Sequence, residues 1–386
     1  MSPLFRSAFG LADDIRRQTL SAVEVLEFFV ERVERLNPAL NAVVATDLGR
    51  ARARAAEADV AAARGEDWGP LHGVPITIKD AFCTAGLVTV GGIPECREQV
   101  PTANAIAVQR YLDAGAILFG KTNVPFMSSD LQSYNEVYGT TNNPWNTGRT
   151  CGGSSGGAAA ALAAGFTPLE LGSDIGGSIR TPSHFNGVFG HKPSYGIVPQ
   201  RGHLPPGEGV LSETDLSVVG PMATSAGDLV QALELLAGPS PEDAAGWRLE
   251  LPPPSFSRPS ELRVALWAND DFCPVDAEVE RCVREAADSL ARLGAQVDAH
   301  ARPDVDPVRN HHNYTQLLMA AMSGGMPDSL YQAACAMVAE ADAENMSEPL
   351  LQMRGIALSH RDWQRRNEGR LQTRAAWMDF FRDYDV

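Results

Sequence analysis

Two segments of this 386-residue chain combine glycine and serine in a pattern that could support catalysis. In RTCGGSSGGAAAALAAG, residues 149–165, four glycines surround Ser154 and Ser155. In GSDIGGSIR, residues 172–180, Ser178 directly follows two glycines. Consecutive glycines leave backbone N–H groups unobstructed, so several of them can point into one cavity. Such donors beside a helix N-terminus can stabilise an oxyanion while a serine attacks a carbonyl carbon.

Two non-catalytic interpretations of residues 149–165 compete with this one. A flexible Gly/Ser linker fits the composition, but the segment is short and lies between stretches with ordered patterns. A Walker phosphate-binding loop needs a lysine after its last glycine, and a dinucleotide-binding loop needs GxGxxG after a strand. Neither pattern is present. The second Gly-Gly-Ser segment, 24 residues further along, favours catalysis.

A serine hydroxyl needs a base before it can attack a carbonyl carbon. Lys79 ends the apolar segment GVPITIK. If its side chain is buried, desolvation lowers its pKa and makes the amine a base near neutral pH; if exposed, it is a solvated strand-end charge. The histidines form no recognisable Ser-His-Asp arrangement, and we expect each to have a surface or core role. These histidines are His72, His184, His191, His203, His300, His311, His312 and His360.

Helices and strands alternate around these residues. Apolar runs that end at turn residues predict buried strands at 72–80, 116–123 and 168–174. Helical spacing predicts helices at 47–64, 105–114 and 158–164. This alternation favours an α/β fold in which helices flank a sheet.

The N-terminal part contains one well-marked helix. Ser21 and Glu24 form the pattern of a capping box, and apolar residues follow at helical spacing through Val33. The helix is predicted to end before Asn37-Pro38, because proline disfavours the α conformation of the residue that precedes it.

Composition excludes several classes of function. The formal net charge is −16 and the pI is near 4.9, so the chain repels nucleic acid and anionic membrane surfaces. No apolar run suits a signal peptide or a membrane span, and the six cysteines show no CxxC spacing. These features predict a reduced, cytoplasmic protein with no nucleic-acid or membrane partner.

Domain organisation can be predicted from the same patterns. The proline-rich segment 252–260 is a linker candidate, and residues 262–298 follow it with a β-α-β pattern. We predict an N-terminal helical region at 1–70, a catalytic core at 71–250, and a C-terminal α/β and helical part of the same domain at 251–386.

Five segments between Gly73 and Gly202 resemble successive blocks of the amidase signature family. They are GVPITIKD, GKTNVPF, TNNPWN, RTCGGSSGGAAAALAAG and LGSDIGGSIRTPSHFNGVFGHKPS. The resemblance implies an α/β/α fold with a large mixed central sheet flanked by helices. It also implies hydrolysis of the C–N bond of a linear amide through a serine acyl-enzyme, with a Ser-cisSer-Lys triad and neither metal nor other cofactor.

The resemblance also implies roles for individual residues. Ser178 corresponds to the nucleophile, Ser154 to the serine that follows a cis peptide and relays protons, and Lys79 to the base. The oxyanion would be held by the backbone N–H groups of Ile175, Gly176, Gly177 and Ser178.

Supporting residues follow from the same resemblance. Ser155 would help to hold the lysine amine, with a simple helix cap as the alternative. Asp174 and Arg180 would support the nucleophile, with a strand-end ion pair as the alternative. The segment 127–139 would line the substrate pocket, and Cys151 stands where many members of the family carry proline.

The end of the sequence departs from the family pattern. In the family, the segment FFRDYDV at 380–386 leads into a buried strand, so we expect a C-terminally incomplete chain. The implied partner is a small-molecule amide, and the resemblance allows a homodimer. Two alternatives stay open: the glutamine-hydrolysing A subunit of a tRNA-dependent amidotransferase, and an inactive truncated scaffold.

Overall fold

Residues 2–203 and 209–386 are described by the computed structural model of the chain. They belong to two units, Met1–Leu249 and Glu250–Val386, each with its own internal contacts. All the residues that the sequence singles out for catalysis lie in the first unit.

The first unit combines helices and short strands. Its helices are α1 (Ala8–Arg16), α2 (Ala22–Leu40), α3 (Leu48–Ala63), α4 (Ile106–Asp113), α5 (Gly156–Ala163), α6 (Arg180–Asn186) and α7 (Ala226–Leu236). Its strands are β1 (Val43–Thr46), β2 (Pro75–Lys79), β3 (Ile117–Thr122), β4 (Tyr134–Asn135), β5 (Gly139–Thr140), β6 (Asn142–Asn143), β7 (Asn146–Thr150), β8 (Leu169–Asp174), β9 (Phe189–Gly190) and β10 (Val218–Ala223).

The second unit is mostly helical. In chain order, strand β11 (Arg263–Ala265) is followed by helix α8 (Ala277–Arg292) and strand β12 (Gln296–Asp298). The two strands pair in parallel, which confirms the predicted β-α-β pattern. The remaining helices are α9 (Pro307–Met322), α10 (Asp328–Glu340), α11 (Glu348–Ile356) and α12 (His360–Phe380). No helix of the described residues is both long and apolar enough to cross a membrane.

The first unit contains two three-stranded sheets, in addition to the two-stranded pairs β4-β5 and β6-β7. One has the order β1-β3-β2, with β3 antiparallel to β1 and parallel to β2; the other has the order β8-β10-β9 and is antiparallel. Strands β2 and β8 are joined by side chains rather than by ladder hydrogen bonds. Thr77 donates its N–H to Thr167 Oγ1 at 3.1 Å and its hydroxyl to Glu170 at 2.6 Å. We call this junction the sheet seam.

The capping box of α2 is confirmed, but the predicted end of the helix is wrong. Ser21 Oγ accepts from Glu24 N at 3.0 Å, and the Glu24 carboxylate accepts from Ser21 N at 2.9 Å. The helix continues through Pro38 to Leu40. Pro38 costs one intrahelical hydrogen bond, because it has no N–H to donate to the carbonyl of Glu34. The Asn37 side chain stabilises this end, since its Oδ1 accepts from two backbone N–H groups, at 2.8 and 2.9 Å.

Candidate active site

Strand β2 carries Lys79 into the interior. The lysine side chain is fully buried, and its Nζ lies 2.7 Å from Ser154 Oγ and 2.8 Å from Ser173 Oγ. Burial lowers the pKa of Lys79 to about 7, although the charge of Asp174, and that of Glu170 in its ionised form, act in the opposite direction. A substantial fraction of the amine is therefore neutral near pH 7, as a base requires.

Glu170 helps to explain why the lysine can lose its proton. The carboxyl group is buried beside Thr77, and burial raises the pKa of Glu170 to about 8. It is therefore largely neutral at pH 7, so no full negative charge at this position stabilises the ammonium form of Lys79. An ionised carboxylate in the same place would favour the ammonium form of the lysine.

The loop between β7 and α5 brings Ser154 to Lys79. The peptide bond between Gly153 and Ser154 is cis. At Gly153 the loop lies against another backbone segment, because a Cβ there would come within 2.6 Å of Gln132 N and 2.7 Å of Asp130 O. Only glycine fits this approach, which accounts for one glycine of the segment 149–165.

The turn after β8 is organised by Asp174. Its carboxylate accepts from the N–H groups of Gly177 at 2.8 Å and Ile179 at 3.0 Å, and forms an ion pair with Arg180 at 2.8 Å. Burial alone would raise the pKa of Asp174, but the hydrogen bonds and the charge of Arg180 outweigh it and lower the pKa. The ionised carboxylate therefore fixes the turn on which Ser178 lies.

Ser178 lies at this turn with only 5% of its surface exposed. Its backbone carbonyl accepts from Ser155 N at 3.1 Å, which ties the turn of Ser178 to the loop of Ser154. Because Gly177 N–H already donates to Asp174, the N–H groups of Ile175, Gly176 and Ser178 are the predicted oxyanion donors that remain.

Ser155 makes different contacts from those expected. Its hydroxyl donates to Ser173 O at 3.3 Å and accepts from Ser173 N at 3.4 Å, whereas the second hydroxyl bonded to the Lys79 amine is that of Ser173. The reason is that the 173–178 segment engages both the N–H and the hydroxyl of Ser155. The residue therefore joins the loop to β8 instead of holding the amine directly.

Two residues of this network were missed by the sequence reasoning. The sequence predicts no role for Ser173, although it belongs to one of the family-like blocks, and predicts only a surface or core role for His203. In the structure, His203 Nε2 lies 2.7 Å from Ser173 Oγ, so the histidine is two hydrogen bonds from Lys79. Nothing in the local sequence around His203 indicates this contact, because Ser173 is 30 residues away.

A second buried lysine fixes the chain that leaves β2. Lys121 Nζ donates to Phe82 O at 2.7 Å and to Thr89 Oγ1 at 3.0 Å, and lies 3.4 Å from Asp80 Oδ1. Burial raises the pKa of Asp80 to about 6, although the charge of Lys121 opposes the shift. The pair holds residues 80–89 in place directly after Lys79.

The segment 127–139 lies beside both glycine-containing turns. Ser133 Oγ donates to Gly152 O at 3.1 Å and accepts from Gly156 N at 3.1 Å. The half-exposed Leu131 side chain lies 3.9 Å from the position that a Cβ of Gly177 would occupy. That this segment lines a substrate pocket stays a prediction.

No metal centre is formed by the described residues, among which no three His, Cys, Asp or Glu side chains cluster as a metal site would require. The acidic groups next to Lys79 are engaged otherwise, Asp80 with Lys121 and Asp174 with Arg180. The groups that the structure brings together around Lys79 are its amine, several hydroxyls and the imidazole of His203.

Cys151 precedes the loop of Ser154, and its thiol is fully buried. Burial raises the pKa of Cys151 to about 12. Because the thiolate is the reactive form, we expect iodoacetamide near pH 8 to leave Cys151 intact while it alkylates the exposed Cys273 and Cys282. Peptide mass spectrometry after brief alkylation checks this. Alkylation of Cys151 in the folded protein as fast as that of Cys273 would contradict it.

Comparison with known families decides the relationship of the chain. The family model described as Amidase matches residues 24–386. The chain belongs to the amidase family. The fold and the sequence blocks of this amidase-family chain are thus those of the amidase signature enzymes, as the sequence predicted.

Individual relatives agree with this assignment. The chain is 35% identical over 387 residues to an indoleacetamide hydrolase of Bradyrhizobium diazoefficiens, an alignment that covers 98% of this amidase-family chain and 71% of the relative. It is 36% identical to the A subunit of a glutamyl-tRNA(Gln) amidotransferase of Nostoc punctiforme, with 74% of this chain and 59% of the relative covered. A solved bacterial aryl acylamidase of the amidase signature family superposes with a TM-score of 0.80 at 25% identity, covering 99% of this chain and 79% of that one.

Proposed function

We propose that this chain hydrolyses the C–N bond of a small linear carboxylic amide through an acyl-enzyme on Ser178, with Ser154 as the proton relay and Lys79 as the base. The observation that carries the proposal is the 2.7 Å contact between a fully buried Lys79 amine and Ser154 Oγ. A buried lysine with a lowered pKa, bonded to a serine hydroxyl whose loop is tied to the turn of Ser178, is an arrangement suited to nucleophilic catalysis.

The proposed reaction begins with proton transfer. Neutral Lys79 takes the proton of Ser154, which takes that of Ser178, and Ser178 Oγ then attacks the amide carbon. The remaining N–H donors of the turn stabilise the negative charge on the carbonyl oxygen. The protons return through the relay to the departing amine as the C–N bond breaks. Water then attacks the acyl-enzyme, activated by the same relay, and releases the carboxylic acid and free Ser178.

The proposed substrate carries an apolar group beside its amide bond. Two similar proteins are named for amides of aromatic compounds, an indoleacetamide hydrolase and an aryl acylamidase. In this chain, the apolar side chain of Leu131 lies close to the Gly177 turn and is half-exposed. An apolar group bound there would bury part of that surface, which favours binding by about 25 cal/mol for each Å² of apolar area removed from water.

A second candidate function is the hydrolysis of glutamine within an amidotransferase assembly. It is favoured by the similarity to the Nostoc punctiforme protein. Glutaminase activity that appears only when partner proteins are added would support it. Turnover of small amides by the isolated chain would support the first proposal, whereas a folded chain that reacts with no acylating probe would support an inactive scaffold.

The proposal predicts that a fluorophosphonate modifies Ser178. The Ser178 oxygen would form a bond to phosphorus while fluoride leaves and the hydroxyl proton passes to the relay. Peptide mass spectrometry of the labelled full chain locates the adduct, and Ser178→Ala is expected to abolish it. An adduct on another residue, at the same rate in wild type and variant, would refute the role of Ser178.

A further inference from the structure

The hydrogen bonds around Lys79 continue beyond the serines to a histidine. Ser173 Oγ lies 2.8 Å from Lys79 Nζ and 2.7 Å from His203 Nε2. The His203 ring packs on Phe82 with 4.9 Å between ring centroids. Phe82 lies just after β2, the strand that carries Lys79, and Cys83 N donates to the carbonyl of Gly202 at 2.8 Å. The histidine is therefore held by the same segment as the lysine.

The arrangement of protons in this chain follows from the role of the lysine. To take a proton from Ser154, neutral Lys79 must direct its lone pair at Ser154 Oγ and its N–H groups elsewhere. One N–H can be donated to Ser173 Oγ only if the hydrogen of that hydroxyl points away. His203 Nε2 lies within hydrogen-bond distance of Ser173 Oγ, where it can accept this hydrogen.

The His203 imidazole is in the neutral protonation state that lets it accept a hydrogen bond from Ser173. Burial and the charge of Lys79 lower the pKa of His203 to about 3, so the ring is neutral near pH 7. A neutral imidazole has one acceptor nitrogen and one N–H. An acceptor at Nε2 therefore places the hydrogen on Nδ1, the tautomer that this network requires.

We infer that His203 is a positioning residue, which accepts the Ser173 hydrogen bond and thereby keeps the Lys79 lone pair directed at Ser154. The inference rests on the proposed function. Without the acceptor, the Ser173 hydroxyl can donate to the Lys79 lone pair. It then competes with Ser154 for the base and stabilises the neutral amine relative to the ammonium.

The test follows the rate at which a fluorophosphonate labels Ser178, as a function of pH, in the full chain. His203→Phe keeps an aromatic ring against Phe82 but removes the acceptor nitrogen. We expect labelling about tenfold slower, the effect of one misplaced hydrogen bond. The midpoint of the rising limb of the pH profile should move to lower pH, because the neutral amine gains a hydrogen bond.

A double-mutant cycle separates positioning from a general structural effect. Ser173→Ala removes the hydroxyl through which His203 acts, so adding His203→Phe to it should slow labelling no further. His203→Gln, whose side-chain oxygen can accept a hydrogen bond, should recover part of the rate. Thermal unfolding checks that each variant folds. If His203→Phe does not fold, His203→Ala is used in its place.

The outcomes are distinct for the inference and for the proposed function. A folded His203→Phe variant with the wild-type rate and pH midpoint overturns the inference while Ser178 still labels. A loss that multiplies with that of Ser173→Ala overturns it as well. Failure of wild-type Ser178 to label overturns the proposed function, and with it the inference.

Discussion

Ser178→Ala is expected to lower kcat for amide hydrolysis by about 10³- to 10⁶-fold, because removing a serine nucleophile leaves only binding and oxyanion stabilisation. The proposed mechanism has no second nucleophile to substitute for it. KM should change little, since the hydroxyl makes its main interaction in the transition state. Steady-state kinetics with a panel of small aryl and alkyl amides provide the measurement.

The matched control for this variant is Ser183→Ala. Ser183 is a serine of α6 with 6% of its surface exposed, close to the 5% of Ser178, and its hydroxyl has no hydrogen-bond partner among the described residues. Its removal should leave turnover within about twofold and stability within about 0.5 kcal/mol of wild type. If Ser178→Ala retained more than about a tenth of the wild-type kcat while Ser183→Ala behaved as expected, Ser178 would not be the nucleophile.

Lys79→Met should be nearly as damaging for amides and less damaging for esters. Methionine has a similar length but no basic group, so the relay loses its proton acceptor. An amide needs both activation of the nucleophile and protonation of its leaving nitrogen, and we expect a loss of about 10³-fold or more. An ester has a better leaving group, so its turnover should fall by a smaller factor.

The pH profile gives the same prediction a second readout. Because burial lowers the pKa of Lys79 to about 7, the amine is protonated and inactive below that pH and neutral above it. The kcat/KM of the wild-type protein should therefore rise with pH through about 7, and this rise should be absent in Lys79→Met. Lys192→Met is the control, at a half-buried lysine whose amine donates to Pro193 O, and it should keep both rate and profile. A Lys79→Met variant with the wild-type profile would exclude this base.

Local sequence patterns were sufficient for the elements that carry the site. The predicted strand at 168–174 is β8 (Leu169–Asp174), and the predicted strand at 72–80 contains β2 (Pro75–Lys79). Both are short apolar runs bounded by turn residues, so the information lies within a few positions. The direction of the Lys79 pKa shift could also be predicted once the strand was expected to be buried.

Contacts between residues far apart in the sequence could not be predicted from those patterns. The contact between His203 and Ser173 and that between Glu170 and Thr77 join residues 30 and 93 positions apart. Each depends on how separate strands and loops pack, which neither spacing nor composition encodes. The contacts of Ser155 could not be predicted for a related reason: two neighbouring hydroxyls look alike in sequence, but Ser154 bonds to Lys79 of β2 and Ser155 to Ser173 of β8. The catalytic roles of Lys79, Ser154 and Ser178 stay predictions until the variants are measured.

The sheet seam has a mechanical consequence. Lys79 belongs to the sheet of β2, whereas Ser173 belongs to the sheet of β8, and no ladder hydrogen bond among the described residues joins those two strands. A displacement of one sheet along the other would therefore break side-chain hydrogen bonds of the seam but no ladder. Residues 155–157 also oppose such a displacement, because Ser155 N donates to Ser178 O at 3.1 Å and Gly157 N donates to Asn123 O at 3.2 Å. This short backbone segment thus connects the ends of β3 and β8 independently of the seam, and helps to keep the Lys79 amine and the Ser173 hydroxyl at a constant separation.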